Sequence, residues 1–69
     1  MLLDHYKVRV FMAEKGLTNR DLEELTGIHR NRISELINKP IHVFPKTVGK
    51  LSSALGVSAA EIIFREKVE

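Results

Sequence analysis

Residues 29 to 35 read His-Arg-Asn-Arg-Ile-Ser-Glu, which sets His29, Arg30, Asn31, Arg32 and Glu35 within about two turns of any helix that forms there. These side chains supply a planar guanidinium fork, a carboxamide that donates and accepts, and a carboxylate that accepts. Such groups match the edges of nucleic-acid bases. Arginine bonds guanine O6 and N7 bidentately, asparagine bonds adenine N6 and N7, and glutamate accepts from cytosine N4. Nearby, Arg20, Lys39 and Lys46 are cations of the kind that neutralise phosphate, adding affinity and salt dependence without sequence information. Between residues 29 and 50 the basic residues are Arg30, Arg32, Lys39, Lys46 and Lys50, joined by His29 and His42, against the acid Glu35. The acids Asp21, Glu23 and Glu24 lie just before this stretch. With a formal charge of only +2, the distribution of charge carries more information than its sum.

Other chemistries find little support. His5, His29 and His42 fall on different segments with no carboxylate at helical ligand spacing, so no metal site is expected. Glu23 and Glu24 are adjacent and project about 100° apart on a helix, which suits a solvated face better than paired acid/base work. No Ser/His/Asp set, glycine-rich phosphate loop or HExxH is present, and 69 residues leave little room for a substrate pocket. Neither enzyme activity nor a cofactor is expected. The absence of cysteine removes disulfides and thiol chemistry and fits a reducing compartment. Asp4, His5, Lys7 and Arg9 break the apolar run that a signal peptide needs, and no stretch approaches the roughly 20 apolar residues of a membrane span. A cytoplasmic location without a membrane partner follows.

The elements that must position the donor-rich stretch are short. Val8, Phe11 and Met12 line one face of a first helix over about residues 4 to 15, capped by Asp4 and ended by Gly16. Thr18 and Asp21 approximate a capping box that opens a second helix, with Leu22 and Leu25 inward and Gly27 as a left-handed stop. Ile28 re-enters the core, and a third helix over about 29–38 buries Ile33 and Leu36, leaving His29, Arg30, Asn31, Arg32, Ser34 and Glu35 outward. The segment 38 to 46, with its two prolines, reads as an extended linker whose Phe44 plugs the core. Pro45 to Leu55 forms a fourth helix ended by Gly56, and Ser58 with Glu61 opens a fifth carrying Ile62, Ile63 and Phe64. The expected fold is an all-α, compact five-helix bundle forming a single domain over residues 1–69.

Helices of seven or eight residues are unstable alone, so tertiary packing must hold the second and third. A short helix, a tight glycine turn and a second helix at a large angle lets the latter project its outer face into a major groove about 12 Å wide. The residues at 18–38 meet that requirement. With "GLT" at 16 to 18, "LEELTGI" at 22 to 28, "ISEL" at 33 to 36 and "KLSSALGVSAAEII" at 50 to 63, the sequence resembles the lambda repressor and Cro-like, or Xre, family of helix-turn-helix proteins over about residues 8 to 64.

That resemblance implies a five-helix DNA-binding domain acting on operator DNA as a homodimer. It places Asn19 near a phosphate, His29, Arg30, Asn31, Arg32 and Glu35 on the groove-facing side, and Asn38 and Lys39 in a loop that touches the backbone. The chain departs from the family pattern at Glu23, where a small alanine is usual, and at Thr26, where an apolar residue is usual. Glu23 is expected to reach the edge of the interface or a cation such as Arg32. Ile63, Phe64 and Val68, and likewise Tyr6 and Val10, exceed what one core face needs; such residues either pack locally or form a dimer seam, and a seam of the first three is the expectation. The functional expectation is a sequence-specific transcriptional regulator, a repressor, with double-stranded DNA as partner. The alternative is an antitoxin-like or adaptor module that uses the helix-turn-helix as scaffold and captures a second protein through helix five.

Overall fold

Capping chemistry fixes where the elements begin. The computed structural model describes residues 1–64 and orders them as α1 (His5–Lys15), α2 (Asn19–Thr26), α3 (Arg30–Asn38), α4 (Pro45–Leu55) and a 3-10 turn (Ala59–Ile62). The Asp4 carboxylate accepts from the Lys7 amide at 3.1 Å and so starts α1. At α2 the Thr18 hydroxyl accepts from the Asp21 amide at 3.1 Å while the Asp21 carboxylate accepts from the Thr18 amide at 2.9 Å. Two free amides are satisfied reciprocally, which favours this start for α2.

The core forms where the inward stripes of these helices meet. Val8, Leu22, Ile33, Leu36, Val48, Leu51 and Leu55 are fully buried, each contributing about 1.5–3 kcal/mol through removal of apolar surface from water. α3 packs on α1 and α2, while α4 packs on α1, α2 and the 3-10 turn.

A short backbone seam closes the bundle. Met1 to Leu3 runs extended between the 41–43 segment and Ile63–Phe64, with bridges Leu2 to His42 and Leu3 to Ile63. The Leu3 amide donates to Ile41 O at 3.1 Å, the Val43 amide to Met1 O at 2.7 Å, and the Phe64 amide to Leu2 O at 2.9 Å. Leu3 is thereby a fully buried core residue.

Three expectations change. Leu25 is 59% exposed, because the inward face of so short a helix is taken by Leu22 and Thr26, four residues apart, and Leu25 falls on the flank. Phe44 is 81% exposed; the seam buries Val43, and alternation along an extended strand sends Phe44 to the opposite side. The fifth element is a single 3-10 turn, closed by the Glu61 carboxylate accepting from the Ser58 amide at 2.9 Å. Beyond it Ile63 adopts φ −122, ψ 148 and pairs with Leu3, so the backbone partner offered by the N-terminal segment wins over continued helix. Val68 lies outside the described residues.

Thr26, unusual at an inward position, is buried with its hydroxyl satisfied on both sides. It donates to Leu22 O at 2.6 Å and accepts from the Ile28 amide at 3.1 Å, linking the end of α2 to the turn. Thr26→Val keeps the volume but strands the Ile28 amide, so a loss of about 1–3 kcal/mol is expected in urea unfolding. Thr26→Ser, which keeps the hydroxyl, should lose less.

Candidate nucleic-acid interface

The turn between α2 and α3 is built around one left-handed residue. Gly27 has φ 76 and ψ 3 and its amide donates to Glu23 O at 2.8 Å, which ends α2 and redirects the chain. A side chain at this position is disfavoured by about 1–2 kcal/mol on backbone grounds alone, although the space beside it is open. Two residues later His29 starts α3. Its Nδ1 accepts from the Asn31 amide at 3.1 Å, so the neutral ring carries its proton on Nε2 in this arrangement.

α3 has two unlike sides. Ile33, Leu36 and Ile37 are buried, and Arg30, Asn31, Arg32, Glu35 and Asn38 are exposed. Nine residues at about 1.5 Å rise make a rod near 14 Å long, whose diameter of about 10–12 Å matches a major groove. The stretch that sequence spacing marked as donor-rich therefore lies together on one solvent-facing surface.

Ion pairs organise that surface. Arg30 Nη1 lies 3.9 Å from Glu23 Oε1, across the α2 to α3 turn. Arg32 Nη1 lies 3.5 Å from Glu35 Oε1, and Lys39 Nζ lies 3.9 Å from the other Glu35 oxygen. Glu23 thus finds Arg30 where Arg32 was expected, because Arg30 sits in the first turn of α3 beside α2 and Arg32 is drawn down its own helix to Glu35. Exposed pairs of this kind are worth about 0–1 kcal/mol and exchange partners readily.

The remaining candidates lie in the first turns of α2 and α4 and at the end of α3. Asn19 and Arg20 occupy the first turn of α2, where unpaired amides and the helix dipole favour an anion. Lys46 is exposed in the first turn of α4. Asn38 ends α3, and its carboxamide folds back to donate to Ser34 O at 2.7 Å, so only part of its donor capacity faces out. The caps formed by His29 and Asn38 were missed from sequence, although the i, i+4 spacing of Ser34 and Asn38 and the place of His29 just past a helix-ending glycine both signal them. Among the described residues no group of three His, Cys, Asp or Glu side chains is placed to hold a metal, and no helix is long and apolar enough to cross a membrane.

The comparisons agree with this architecture. Residues 7–67 match the family described as the Cro/C1-type HTH DNA-binding domain. The chain belongs to that family. A curated relative, the antitoxin HigA-1 of Vibrio cholerae, is 41% identical over 46 residues, covering 67% of this chain and 43% of the relative. The matched stretch thus spans less than half of that relative's length. The restriction-modification controller protein C.AhdI from Aeromonas hydrophila superposes with a TM-score of 0.76 at 24% identity, covering 83% of this chain and 86% of that one, which establishes the shared fold. The family is one of DNA-binding domains and not a class of enzymes.

Within this Cro/C1-type domain the α2 cap has a pH signature. The hydrogen bond from the Thr18 backbone, aided by the Thr18 side chain, holds the Asp21 carboxyl below its ordinary value. A depressed folded value means the stabilisation is fully present above the unfolded carboxylate value, about 3.9, and is lost as pH falls through the folded one. Thermal unfolding followed from neutral pH down to about pH 2 should show an acid limb that is shallower in Asp21→Asn than in the parent.

Proposed function

We propose that this Cro/C1-type domain is a sequence-specific transcriptional regulator that inserts α3 into the major groove of an operator as a homodimer, repressing by occupancy. The observation that carries this reading is the division of α3 into a buried Ile33–Leu36–Ile37 side and a solvent side rich in base-complementary groups. Arg30 and Arg32 are assigned to guanine, Asn31 to adenine and Glu35 to cytosine. His29, whose Nδ1 is committed to the helix cap, offers Nε2 alone. Asn19, Arg20, Asn38, Lys39 and Lys46 are assigned to phosphate, where they set register and salt dependence.

Dimerisation is assigned to the surface around Phe64, with Ile63, half-buried against the core, behind it. Phe64 is 41% exposed at the end of the backbone seam, beyond what the core uses. Paired half-sites follow from a two-fold dimer, with centres about one helical turn, or 10 bp, apart or a multiple of it.

Selection of bound duplexes from a randomised pool at about 150 mM salt tests the proposal. An enriched pseudo-palindrome with that spacing supports it. Binding that fades with salt and enriches no sequence leaves only the electrostatic attraction and removes the operator reading. In that case the exposed Phe64 surface and the likeness to an antitoxin favour a protein-interaction module, which Phe64→Ala would disable.

A further inference from the structure

The cations assigned to the candidate interface divide into two sets. Arg20, in the first turn of α2, and Lys46, in the first turn of α4, have no carboxylate within 4.0 Å among the described residues. The three cations of residues 30 to 39 are each held by one: Arg30 by Glu23, and Arg32 and Lys39 by Glu35. The surface assigned to read bases is therefore partly neutralised by its own acids, three cations sharing the two carboxylates of Glu23 and Glu35.

Glu23 is the informative member. Its side chain is 29% exposed, packed between α2 and α3, and its partner Arg30 is 54% exposed. Arg30 stands in the first turn of α3, where the helix dipole opposes a positive charge, so nothing in α3 itself favours a guanidinium there. The carboxylate from the neighbouring helix supplies the compensation and biases where the guanidinium rests. A free arginine at this place would reach any phosphate within its length. One tethered to Glu23 must exchange a carboxylate for a phosphate, an even trade of one anion for another, while the freed Glu23 charge is left near the DNA.

We propose that Glu23 is a specificity-determining positioning residue: it withholds Arg30 from the phosphates of non-cognate DNA and yields it only where a base supplies the bidentate acceptor pair. This rests on the reading of α3 as the groove helix. Exchange with phosphate only returns one ionic contact for another, so Arg30 gains little by leaving Glu23. A guanine at the cognate position adds an O6 and N7 acceptor pair that random sequence does not place there, and that difference raises the ratio of specific to random binding. Glu23 contributes by suppressing the wrong complexes rather than by strengthening the right one.

The test is titration of the selected duplex and a random duplex of equal length, over about 50 to 200 mM salt, with the parent, Glu23→Gln, Glu24→Gln, Arg30→Ala and the Glu23→Gln/Arg30→Ala double variant. Freeing one cation adds one phosphate contact, so Glu23→Gln should bind random DNA about fivefold more tightly at 0.15 M salt, with a salt slope steeper by about 0.9. Affinity for the selected duplex should move less, so the specificity ratio falls by several-fold. Glu24, exposed on the same helix and without an ion-pair partner among the described residues, removes the same charge without freeing a cation, and Glu24→Gln should leave the ratio unchanged. In the Arg30→Ala background the effect of Glu23→Gln on random DNA should shrink to that of the charge-only control Glu24→Gln, and Glu23→Asp should restore part of the ratio. Thermal unfolding of Glu23→Gln close to the parent's confirms that the fold is intact.

The proposal is overturned if Glu23→Gln tightens both duplexes alike, matches Glu24→Gln, or acts equally in the absence of Arg30. A parent that discriminates no duplex from random DNA removes the groove-helix reading itself. A parent that discriminates while Glu23→Gln changes nothing overturns the role of Glu23 alone.

Discussion

Ile33→Ala is expected to lower the free energy of unfolding by about 2–5 kcal/mol, measured by urea denaturation. Ile33 is fully buried in the middle of α3, between α1 and α2, and truncation removes apolar contact and leaves a cavity that two neighbouring helices cannot collapse to fill. A domain of 69 residues has only about 3–10 kcal/mol in total, so the loss is a large share of its stability. The functional consequence is direct, since α3 has nine residues and would not remain helical once released from the core. Ile33→Val, which removes one methylene, should cost about 0.5–1.5 kcal/mol and leave DNA binding intact. Equal effects of the two would place Ile33 outside the packed core.

Arg30→Ala is expected to weaken binding to the selected duplex by about 1–3 kcal/mol, or roughly 5- to 150-fold, and to relax preference at one base position. Arg30→Lys separates charge from geometry: lysine keeps the charge but lacks the fork, so preference at that position should fall nearly as far as in the alanine variant. Lys39→Ala, by contrast, should weaken all sequences alike and reduce the salt slope by about 1. Fluorescence anisotropy with single-base variants of the duplex reads both. An Arg30→Ala variant that retains the parent's specificity ratio would mean that the guanidinium touches phosphate only.

Much of this molecule is written in local chemistry. Asp4, the Thr18/Asp21 box and Gly27 define helix ends through hydrogen bonds and backbone angles that depend on a few adjacent residues, and each appears where spacing places it. The buried Ile33 and Leu36 follow from helical period for the same reason. What sequence left obscure is long-range. The seam that pairs Met1–Leu3 with residues 41–43 and with Ile63 joins segments far apart in the chain, and no periodicity marks it. Its consequences are the exposure of Phe44 and the reduction of the fifth helix to a 3-10 turn, both of which depend on where a distant strand offers its backbone. In the candidate interface, residue types and the outward face of α3 were legible, whereas the partner of Glu23 depended on which cation α3 brings beside α2.

Amide chemical-shift mapping on labelled protein titrated with the selected duplex tests most directly whether α3 is the reading element. The largest changes are predicted at the exposed positions from Arg30 to Lys39, with a second group at Asn19 and Arg20, while Tyr6 and Val10 on the outer side of α1 remain still. Changes concentrated at Leu2, His42 and Phe64, with the amides of α3 unmoved, would contradict a reading role for α3.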